Sequence, residues 1–554
     1  MTDRDMYKFS ESETLLRGTR WAREEEMKRL LSRVCLTGNE ESYPCGLPVI
    51  SDGNTVYVDD SDAHSLIIGS TGSKKTRLFA MPMLELIRRA GESIVVTDPK
   101  GELYQTTAAL FEQQGYHIQV INLRDPLHSN GWNPLALARR YQNAGEPDRA
   151  SSIVNDFSAA FIEEKPGSKA DPFWLFTARS MLQGLVLMMV EGTHIFPDEC
   201  VNLATLRSLS QELHRNQEKP STFDLLKFYP QNSTTVSNLN AIARGSAITF
   251  DNIKASYDAP MQRLYVQRGL VSLLSNDDID FELLGKEKTI LYLIMPDEKT
   301  TLHIIVSMII KQCYEQLIYL AQHYPDNALP IRVNFLLDEF SNLPAIPDMP
   351  SMISAARSRN IRFHLIIQGL YQLSSKYGPD DAQTIKGNCA NWVFLTSREL
   401  PLLEEISQLC GCDALTGERL ITVSQLQRLD KQKGEALMLI GRQYPFIAHL
   451  ADISMYHMPH PGGDYPYPSL STHTPSSMNT TQALAAARQA RANASRSTQR
   501  STQTSREDAN AFYRKRIDSK TSEKILADTD KILAYTYKIL AYLQEQAADS
   551  ADSE

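Results

Sequence analysis

A glycine-rich run has the residue types and spacing of a phosphate-binding loop: Gly69-Ser70-Thr71-Gly72-Ser73-Lys74-Lys75-Thr76. The pattern for such a loop is G-x-x-x-x-G-K-[ST], and Gly69, Lys75 and Thr76 match it. Backbone N–H groups in these loops, together with the N-terminus of the helix that comes next, bind phosphate oxygens. In this role Lys75 would contact the β- and γ-phosphates, and Thr76 would ligate Mg²⁺. We therefore predict that residues 69–76 bind ATP with Mg²⁺.

Lys74 departs from this pattern, because it stands where the pattern has its second glycine. Its side chain adds bulk where the backbone must approach phosphate, so we expect reduced nucleotide affinity. An incidental Gly/Ser turn is the alternative to a phosphate site. The context favours the phosphate site, since the apolar run Ser65 to Ile68 precedes the loop and a helical stretch from about Arg77 to Arg89 comes after it.

A second apolar run, Val333 to Leu337, ends in Asp338-Glu339, which is the form of a Walker B strand. Asp338 would belong to the Mg²⁺ shell, and Glu339 would polarise the attacking water. Two solvated acids at a strand end are the alternative, since an apolar run followed by Asp-Glu is common. A phosphate loop on an earlier strand of the same sheet favours the Walker B interpretation.

Two further polar residues occupy positions that are useful for phosphoryl transfer. Gln368 comes directly after the apolar run Phe363 to Ile367, and an amide there would face the γ-phosphate in RecA-like motors. Arg357 lies between Glu339 and Gln368, where an arginine can reach a neighbouring subunit's nucleotide as a finger. A surface glutamine and a salt-bridging arginine are the alternatives. We predict Lys75, Glu339, Arg357 and Gln368 as catalytic residues, and the finger requires a ring of subunits.

These residues need a sheet to position them, and the hydrophobic pattern predicts one. Short apolar or β-branched runs alternate with helical stretches before residue 150 and again after residue 285, which is typical of an α/β fold with a parallel sheet. Residues 150–285 instead carry helical apolar spacing and predict a mostly helical insertion. The predicted strands include Ser93 to Thr97, His117 to Ile121, Thr289 to Ile294, Trp392 to Thr396 and Ala436 to Ile440.

Composition excludes several classes of protein. The chain has 554 residues and a formal charge of −9, so a chain that is basic throughout is excluded, although a local basic patch is not. Seven cysteines without a C-x-x-C pair argue against a disulfide scaffold and for a reducing, cytoplasmic compartment. We expect no transmembrane helix, because the apolar stretch Met181 to Val190 is only about half the length of a bilayer span.

The C-terminal part changes in composition. Residues 461–520 are rich in Pro, Ser, Thr and Gln, and we predict a disordered linker. Its Arg-rich stretch between Arg488 and Arg516 carries a local charge of +6, so binding of nucleic acid and a plain solvated linker are both open. Residues 521–548 repeat Lys-Ile-Leu-Ala with a period of seven, which predicts a helix that docks on an unknown partner, self-associates or binds nothing.

An ordered set of motifs resembles the conjugative type IV coupling proteins, the TraG/TraD family. The run Val95 to Tyr104, with Asp98-Pro99-Lys100-Gly101, looks like the second-strand motif of that family. The other resemblances occur in family order across residues 15–455. They are Trp132-Asn133-Pro134-Leu135, Phe173-Trp174, Leu337-Asp338-Glu339-Phe340, the Pro-rich loop Leu343 to Pro350, Arg357, Gln368, Tyr377-Gly378 and Gly387-Asn388-Cys389.

This resemblance implies a RecA-like P-loop motor with an inserted all-α domain, assembled as a hexameric ring with nucleotide at the subunit interfaces. It implies ATP-driven recruitment of relaxase-bound single-stranded DNA, or of protein substrates, to a secretion channel. Asp98 and Lys100 become further nucleotide-binding candidates. The expected partners are the relaxase or relaxosome, single-stranded DNA, and secretion-channel ATPases or a separate membrane anchor. A soluble FtsK/HerA-like DNA translocase and a non-hydrolysing recruitment platform remain alternatives.

The hydrophobic pattern and the resemblance together give the expected domains. Residues 1–48 form an N-terminal segment, 49–149 and 286–460 the two parts of the nucleotide-binding domain, and 150–285 the helical insertion. Members of the family normally carry N-terminal transmembrane helices. The run Arg17 to Ala22 resembles the segment directly after those helices, so we expect either a soluble chain docked on a membrane protein or a chain that starts late. The expected location is peripheral, at the cytoplasmic face of the plasma membrane.

Overall fold

The structure is a computed structural model that describes residues 18–37, 43–162, 171–214, 219–413, 416–458, 464–470, 475–496 and 529–539. It divides into two units, Met1–Ala483 and Leu484–Glu554. The first unit holds every predicted site residue. The described part of the second unit is helical, in residues 484–496 and 529–539.

A small antiparallel sheet lies near the start of the described chain. Helix α1 (Glu24–Leu30) leads into strands β1 (Ser32–Cys35), β2 (Leu47–Asp52) and β3 (Thr55–Asp59), and β3 pairs with both of the others. The predicted boundary between residues 48 and 49 therefore falls inside β2. Strand β1 belongs to the predicted N-terminal segment and β3 to the predicted nucleotide-binding domain. Because these two strands pair, the two predicted domains share this sheet.

A larger sheet forms the core of the first unit. Its strands are β4 (Ser65–Gly69), β5 (Ser93–Asp98), β6 (His117–Asn122), β7 (Thr289–Ile294), β8 (Val333–Leu337), β9 (Ile361–Ile367), β10 (Asn391–Thr396), β11 (Glu435–Ile440) and β12 (Phe446–His449). Within the described residues these nine strands take the order β12-β11-β10-β4-β9-β8-β5-β7-β6. All neighbours from β10 to β6 are parallel, and β11 and β12 are antiparallel. The predicted α/β class with a mostly parallel sheet is confirmed.

The central strands are apolar because both of their faces are covered. Every residue of β4, β5, β7, β8 and β9 is buried, which explains why continuous apolar runs predicted them. The helices between them are α2 (Met81–Ala90) and α3 (Glu102–Gln113), then α11 to α17 after the insertion. Those are Leu283–Lys286, His303–Ala321, Met349–Ala356, Leu370–Tyr377, Pro379–Asn388, Leu400–Cys410 and Val423–Leu426.

The described residues between β6 and β7 are mostly helical. They contain α4 (Ala136–Asn143), α5 (Pro147–Phe161), α6 (Pro172–Glu191), α7 (Leu203–Gln211), α8 (Thr234–Arg244), α9 (Ala247–Tyr265) and α10 (Arg268–Leu273). The helical segment begins at Ala136, so the predicted boundary between residues 149 and 150 falls inside α5. Helix α6 passes so close to α8 that a Cβ on Gly184 would lie 2.4 Å from Leu239 Cγ.

Among the described residues, two helical segments are long and apolar enough to cross a membrane by length and composition, Pro172–Glu191 and Thr300–Ala321. Of their most apolar windows, 56% and 78% respectively are buried inside the protein. This burial is typical of core helices. All seven cysteines lie in the described residues, and none of them forms a disulfide.

The structure differs from the predicted linker over residues 464–470 and 475–483. These residues, which we call the strap, cross from α3 to the helical insertion. Tyr467 stacks on Tyr104 of α3, with ring centroids 4.6 Å apart and planes inclined by 10°. The Thr480 Oγ1 atom lies 2.7 Å from Thr222 Oγ1. These contacts order the strap despite its composition.

The rest of the predicted tail is partly described. Residues 480–496 are helical, where we predicted disorder, and the remainder of the linker lies outside the described residues. Residues 529–539 form a helix within the predicted segment 521–548, whose other residues also lie outside the described ones.

Candidate nucleotide-binding site

Sheet order brings the predicted site residues together. Strands β4, β9, β8 and β5 are consecutive and parallel, so the loops at their carboxyl ends leave from one edge. In β4 and β9, Ile68 pairs with Ile367, which places Gly69 beside Gln368. The acid pair Asp338-Glu339 comes after β8 on the other side of β9. Because β9 lies between the two motif strands, its terminal glutamine lies between the phosphate loop and the acids.

The loop wraps around the side chain of Lys75, which is 7% exposed. Its Nζ donates hydrogen bonds to the carbonyl oxygens of Gly69 (2.6 Å) and Ser70 (3.4 Å). The same atom lies 4.0 Å from Glu339 Oε1. Burial lowers the pKa of Lys75, and the charges of Glu339 and Asp338 oppose that shift. The ammonium group thus lies between the loop carbonyls and the acid pair.

Lys74 adopts a left-handed backbone conformation, with φ of 66°. For residues with a Cβ this conformation costs about 1–2 kcal/mol, whereas glycine adopts it freely. The P-loop pattern therefore has glycine at this position for two reasons: the left-handed backbone conformation and the close approach of the backbone to phosphate. Gly72 also has a positive φ, 75°, and a Cβ there would meet no atom within 4 Å.

Ser73 lies inside the loop, and its side chain is 1% exposed. Its Oγ is buried and has no hydrogen-bond partner among the residues that the structure describes. A Cβ on Gly69 would lie 2.4 Å from this oxygen, so a larger residue at position 69 would displace the Ser73 hydroxyl. Since buried hydroxyls are normally paired, an unpaired one inside a phosphate-type loop fits a ligand oxygen.

Asp338 and Glu339 differ in environment. The Asp338 side chain is 7% exposed, and burial, followed by the charge of Glu339, raises its pKa to about 6. Its Oδ1 accepts a hydrogen bond from the Glu339 backbone N–H at 2.9 Å. Glu339 adopts φ of 54°, and its side chain is 22% exposed. This left-handed residue turns the chain sharply after β8, and strain of this kind is typical of functional sites.

Hydrogen bonds connect Glu339 to three other parts of the site. Gln368 Nε2 donates to Glu339 Oε2 at 2.8 Å, and Thr71 Oγ1 donates to Gln368 Oε1 at 3.3 Å. Asn342 Nδ2 donates to the same Glu339 oxygen at 3.2 Å. Asn342 was not among the residues predicted from the sequence, although it lies only three residues after Glu339, in a short turn.

Asp98 and Lys100 belong to the neighbouring loop after β5. Asp98 is 1% exposed, and its Oδ2 accepts a hydrogen bond from the Tyr104 backbone N–H at 2.9 Å. Burial raises its pKa to about 6, against the effect of backbone hydrogen bonds. Through its hydrogen bond to the Tyr104 backbone, the Asp98 carboxyl group stabilises the start of α3. Lys100 lies on the same loop and is exposed. Binding of nucleotide by either residue stays a prediction.

Arg357 lies at the opposite edge of the sheet. It precedes β9, whereas Gln368 comes after it, and the seven residues of β9 span about 23 Å. Its guanidinium forms an ion pair with Asp62, 2.7 Å from Oδ1, just before β4. The structure therefore does not bring Arg357 together with Lys75, Glu339 and Gln368 of its own chain.

The parallel sheet, the loop after β4 and the acid pair after β8 define a RecA-like P-loop fold that carries a helical insertion. The model of the family described as type IV secretory system conjugative DNA transfer matches residues 20–432. The chain belongs to this family.

Named relatives agree with the family. Conjugal transfer protein TraG of Escherichia coli is 25% identical over 394 residues, covering 67% of this chain and 58% of TraG. Protein VirD4 of Rhizobium rhizogenes is 23% identical over 360 residues, covering 63% of this chain and 49% of VirD4. The chain thus spans about half the length of these relatives.

Solved structures agree with the fold. Plasmid coupling protein TrwB, in complex with the ATP analogue ADPNP, superposes with a TM-score of 0.57 at 15% identity. The match covers 82% of this chain and 97% of TrwB. Another structure of TrwB is a complex with ADP and Mg²⁺, with a TM-score of 0.55 at 16% identity; it covers 79% of this chain and 94% of that one.

Proposed function

We propose that this chain is a coupling ATPase of conjugative type IV secretion. It recruits relaxase-bound single-stranded DNA, or protein substrates, to the secretion channel and drives their transfer by ATP hydrolysis. The observation that carries the proposal is the contact set of Lys75, Glu339 and Gln368 at one sheet edge, in a chain of the conjugative DNA transfer family. The site supplies one cation, one carboxylate and one amide, the set that phosphoryl transfer to water needs.

Nucleotide and Mg²⁺ fit the residues present. The similar protein TrwB binds ADPNP, and in another structure ADP and Mg²⁺. Here the unpaired Ser73 hydroxyl and the Lys75 ammonium are available for phosphate oxygens. Thr76 and Asp338 are the residues that would hold the metal. Bound Mg²⁺ supplies positive charge that offsets the charge of the phosphates.

Each site residue has a separate role in hydrolysis. Lys75 exchanges its bonds to loop carbonyls for bonds to phosphate oxygens, which places its charge on the transferring group. Glu339 orients and polarises the attacking water. Gln368 holds the Glu339 carboxylate, and Thr71 holds the Gln368 amide oxygen, so the orientation of the base depends on the loop that binds phosphate. Arg357 acts as a finger on the site of a neighbouring subunit.

Assembly and location belong to the same proposal. The chain forms a hexameric ring, meets the relaxase and the secretion-channel ATPases or a separate membrane anchor, and works at the cytoplasmic face of the plasma membrane. The helix over residues 529–539 exposes Ile532, Leu533 and Ile539, which suits docking on a partner.

ATPase activity measured with and without single-stranded DNA tests the proposal. We expect turnover by the wild-type chain, stimulation by DNA, and a loss of at least ~100-fold in Lys75→Ala because the phosphate cation is removed. Thermal unfolding of the variant shows whether it is folded. An equal background rate for wild type and Lys75→Ala would contradict the motor function.

The Lys74→Gly variant distinguishes a loop that binds nucleotide weakly from a loop that binds nucleotide but does not support hydrolysis. The variant relieves the left-handed backbone, so we expect tighter binding of a fluorescent ATP analogue. Gly72→Ala is the matched control, since it places a Cβ at a positive φ without a clash and should weaken the loop. Nucleotide binding without turnover in wild type and in Lys74→Gly would favour a recruitment platform over a motor.

A further inference from the structure

A cavity of about 390 Å³ opens between the carboxyl edge of the sheet and the helical insertion. Its walls come from residues 123–124 after β6, residues 263–267 around the end of α9, and residues 296–302 after β7. A volume of this size suits a small ligand or one unit of a polymer. None of the residues that the sequence singled out for the nucleotide site lines this cavity.

The cavity has an excess of positive charge. Arg124 lies in its wall, and its guanidinium is already paired with Asp297 at 2.8 Å and Glu298 at 2.9 Å. Two other lining cations, Arg263 and Lys299, are exposed and form neither an ion pair nor a hydrogen bond with any described residue. Their charges are therefore free for an anion, in a chain whose formal charge is −9.

The remaining wall suits a base rather than a simple anion. Val266 is 69% exposed, and it lies beside the amide of Gln267, which can hydrogen-bond to a base edge. Leu302 adds a second apolar surface. Sites for single-stranded nucleic acid combine cations that contact the backbone with aromatic side chains on which bases stack. This cavity has the cations, and the exposed Val266 takes the place of an aromatic ring as the surface that a base can cover. An acidic peptide would use the cations but would leave the exposed Val266 side chain without a contact, since Leu302 is itself buried.

The cavity wall is connected to the nucleotide site. His303 comes directly after the lining residue Leu302 and is 1% exposed. Its Nε2 lies 2.7 Å from Pro296 O, in the same wall, and its Nδ1 lies 3.2 Å from Asn342 O. Asn342 in turn donates to Glu339 Oε2. A neutral imidazole carries one N–H, so His303 donates to one of these two carbonyl oxygens and contacts the other. The ring and Asn342 thus join the wall of the cavity to the carboxylate that orients water.

We propose that this cavity binds the phosphodiester backbone of single-stranded DNA through Arg263 and Lys299, and that His303 and Asn342 transmit its occupancy to Glu339. The inference rests on the proposed function, because it names where that function senses its DNA. His303 and Asn342 are positioning residues, since neither contacts the cavity ligand or the reacting phosphate in this arrangement.

DNA affinity in the absence of nucleotide tests the site separately from hydrolysis. Fluorescence anisotropy with a labelled single-stranded oligonucleotide is compared for wild type and Arg263→Glu/Lys299→Glu at two salt concentrations. We expect the affinity of the double variant to fall about 10- to 30-fold near 0.1 M salt, with a salt slope lower by about 1.4, because two phosphate contacts are lost. Thermal unfolding shows whether the variant is folded.

Arg244→Glu/Lys376→Glu is the matched control, because it makes the same charge change at two exposed cations outside the cavity. The site is contradicted if both double variants lose the same affinity, or if neither loses any. It is also contradicted if the cavity variant loses binding of a polyglutamate peptide but keeps that of DNA. All three outcomes are independent of whether the chain hydrolyses ATP.

The connection to Glu339 has its own readout. In Asn342→Ala we expect oligonucleotide affinity equal to that of wild type, but a DNA-stimulated to basal ATPase ratio that falls to about 1. His303→Gln should act in the same direction, and the Asn342 variant covers the case in which a change at buried His303 prevents folding. Normal stimulation in a folded Asn342→Ala protein would overturn the connection.

Discussion

The contact between Lys75 and Glu339 involves two non-glycine residues with left-handed backbones: Lys74, which precedes Lys75, and Glu339 itself. Lys74 has φ of 66°, and Glu339 itself has φ of 54°. Each conformation costs about 1–2 kcal/mol, so the surrounding structure must hold both residues in place. Lys74 precedes the phosphate cation, and Glu339 presents its carboxylate to Gln368. The strain therefore lies where small backbone changes would alter the distance between cation and base.

Asp338 gives a testable link between this site and stability. Burial raises its native pKa to about 6, above the ordinary value of 3.8. The folded protein thus holds this proton more tightly than the unfolded chain, and stability falls as pH rises from about 4 to about 6. Asp338→Asn removes this dependence. We expect the variant to be more stable than wild type by about 3 kcal/mol at pH 7.5, and nearly as stable as wild type at pH 4.

Urea unfolding of both proteins at pH 7.5 and pH 4 measures the difference. The exposed Asp251 provides the control, since Asp251→Asn should change stability by less than about 0.5 kcal/mol at either pH. An Asp338→Asn protein that is no more stable than wild type at pH 7.5 would show that the carboxylate is well solvated or well paired. We also expect it to lose ATP turnover, so the site trades stability for chemistry.

At the level of elements, the local hydrophobic pattern predicted where the strands lie along the chain but not which strands are neighbours in the sheet. Buried parallel strands are apolar along their whole length, so β4, β5, β8 and β9 could be found from sequence. Local pattern carries no information on neighbours, and the position of β9 between β4 and β8 came only from the structure. That position explains why Gln368 reaches Glu339, which the sequence could only suggest by resemblance.

The strap shows the opposite case, in which composition was misleading. Residues 464–483 are rich in Pro, Ser and Thr, and this composition predicted disorder. Tyr465 and Tyr467 would have indicated an ordered segment, because aromatic side chains in a polar segment tend to pack on a neighbouring surface. Tyr465 exchanges two hydrogen bonds with the side chain of Gln105, at 3.2 and 2.9 Å, and Tyr467 stacks on Tyr104.

Tyr467→Ala tests whether the strap holds α3. The variant loses a stacked ring pair and its buried area, so we expect faster amide hydrogen exchange in residues 464–470 and at the start of α3, with a stability loss of about 1–2 kcal/mol. Tyr371→Ala is the control, since that side chain is 75% exposed. Unchanged exchange in both segments would show that the strap rests on the surface without stabilising it.

At the scale of the whole molecule, Arg357, the proposed finger, lies away from the nucleotide site of its own chain. The residue lies before β9, and the Lys75–Glu339 contact lies after it, about 23 Å along the strand. An arginine side chain extends only about 7 Å, so the guanidinium cannot serve the nucleotide site of its own subunit. In a closed ring, the two sheet edges of neighbouring subunits can meet, and the finger would then act across the interface.

Mixing two inactive variants distinguishes a finger that acts between subunits from a merely structural arginine. Lys75→Ala chains keep Arg357, and Arg357→Ala chains keep the phosphate loop, so each alone should lose at least ~100-fold in turnover. In rings assembled from equal amounts of both, about a quarter of the sites combine an intact loop with an intact neighbouring arginine, and we expect about a quarter of the wild-type rate. Arg359→Ala mixed in the same way controls for loss of charge at that edge, and it should be active without mixing. No recovery on mixing, in rings of wild-type size by light scattering, would place the function of Arg357 in its ion pair with Asp62 rather than at a neighbour's phosphate.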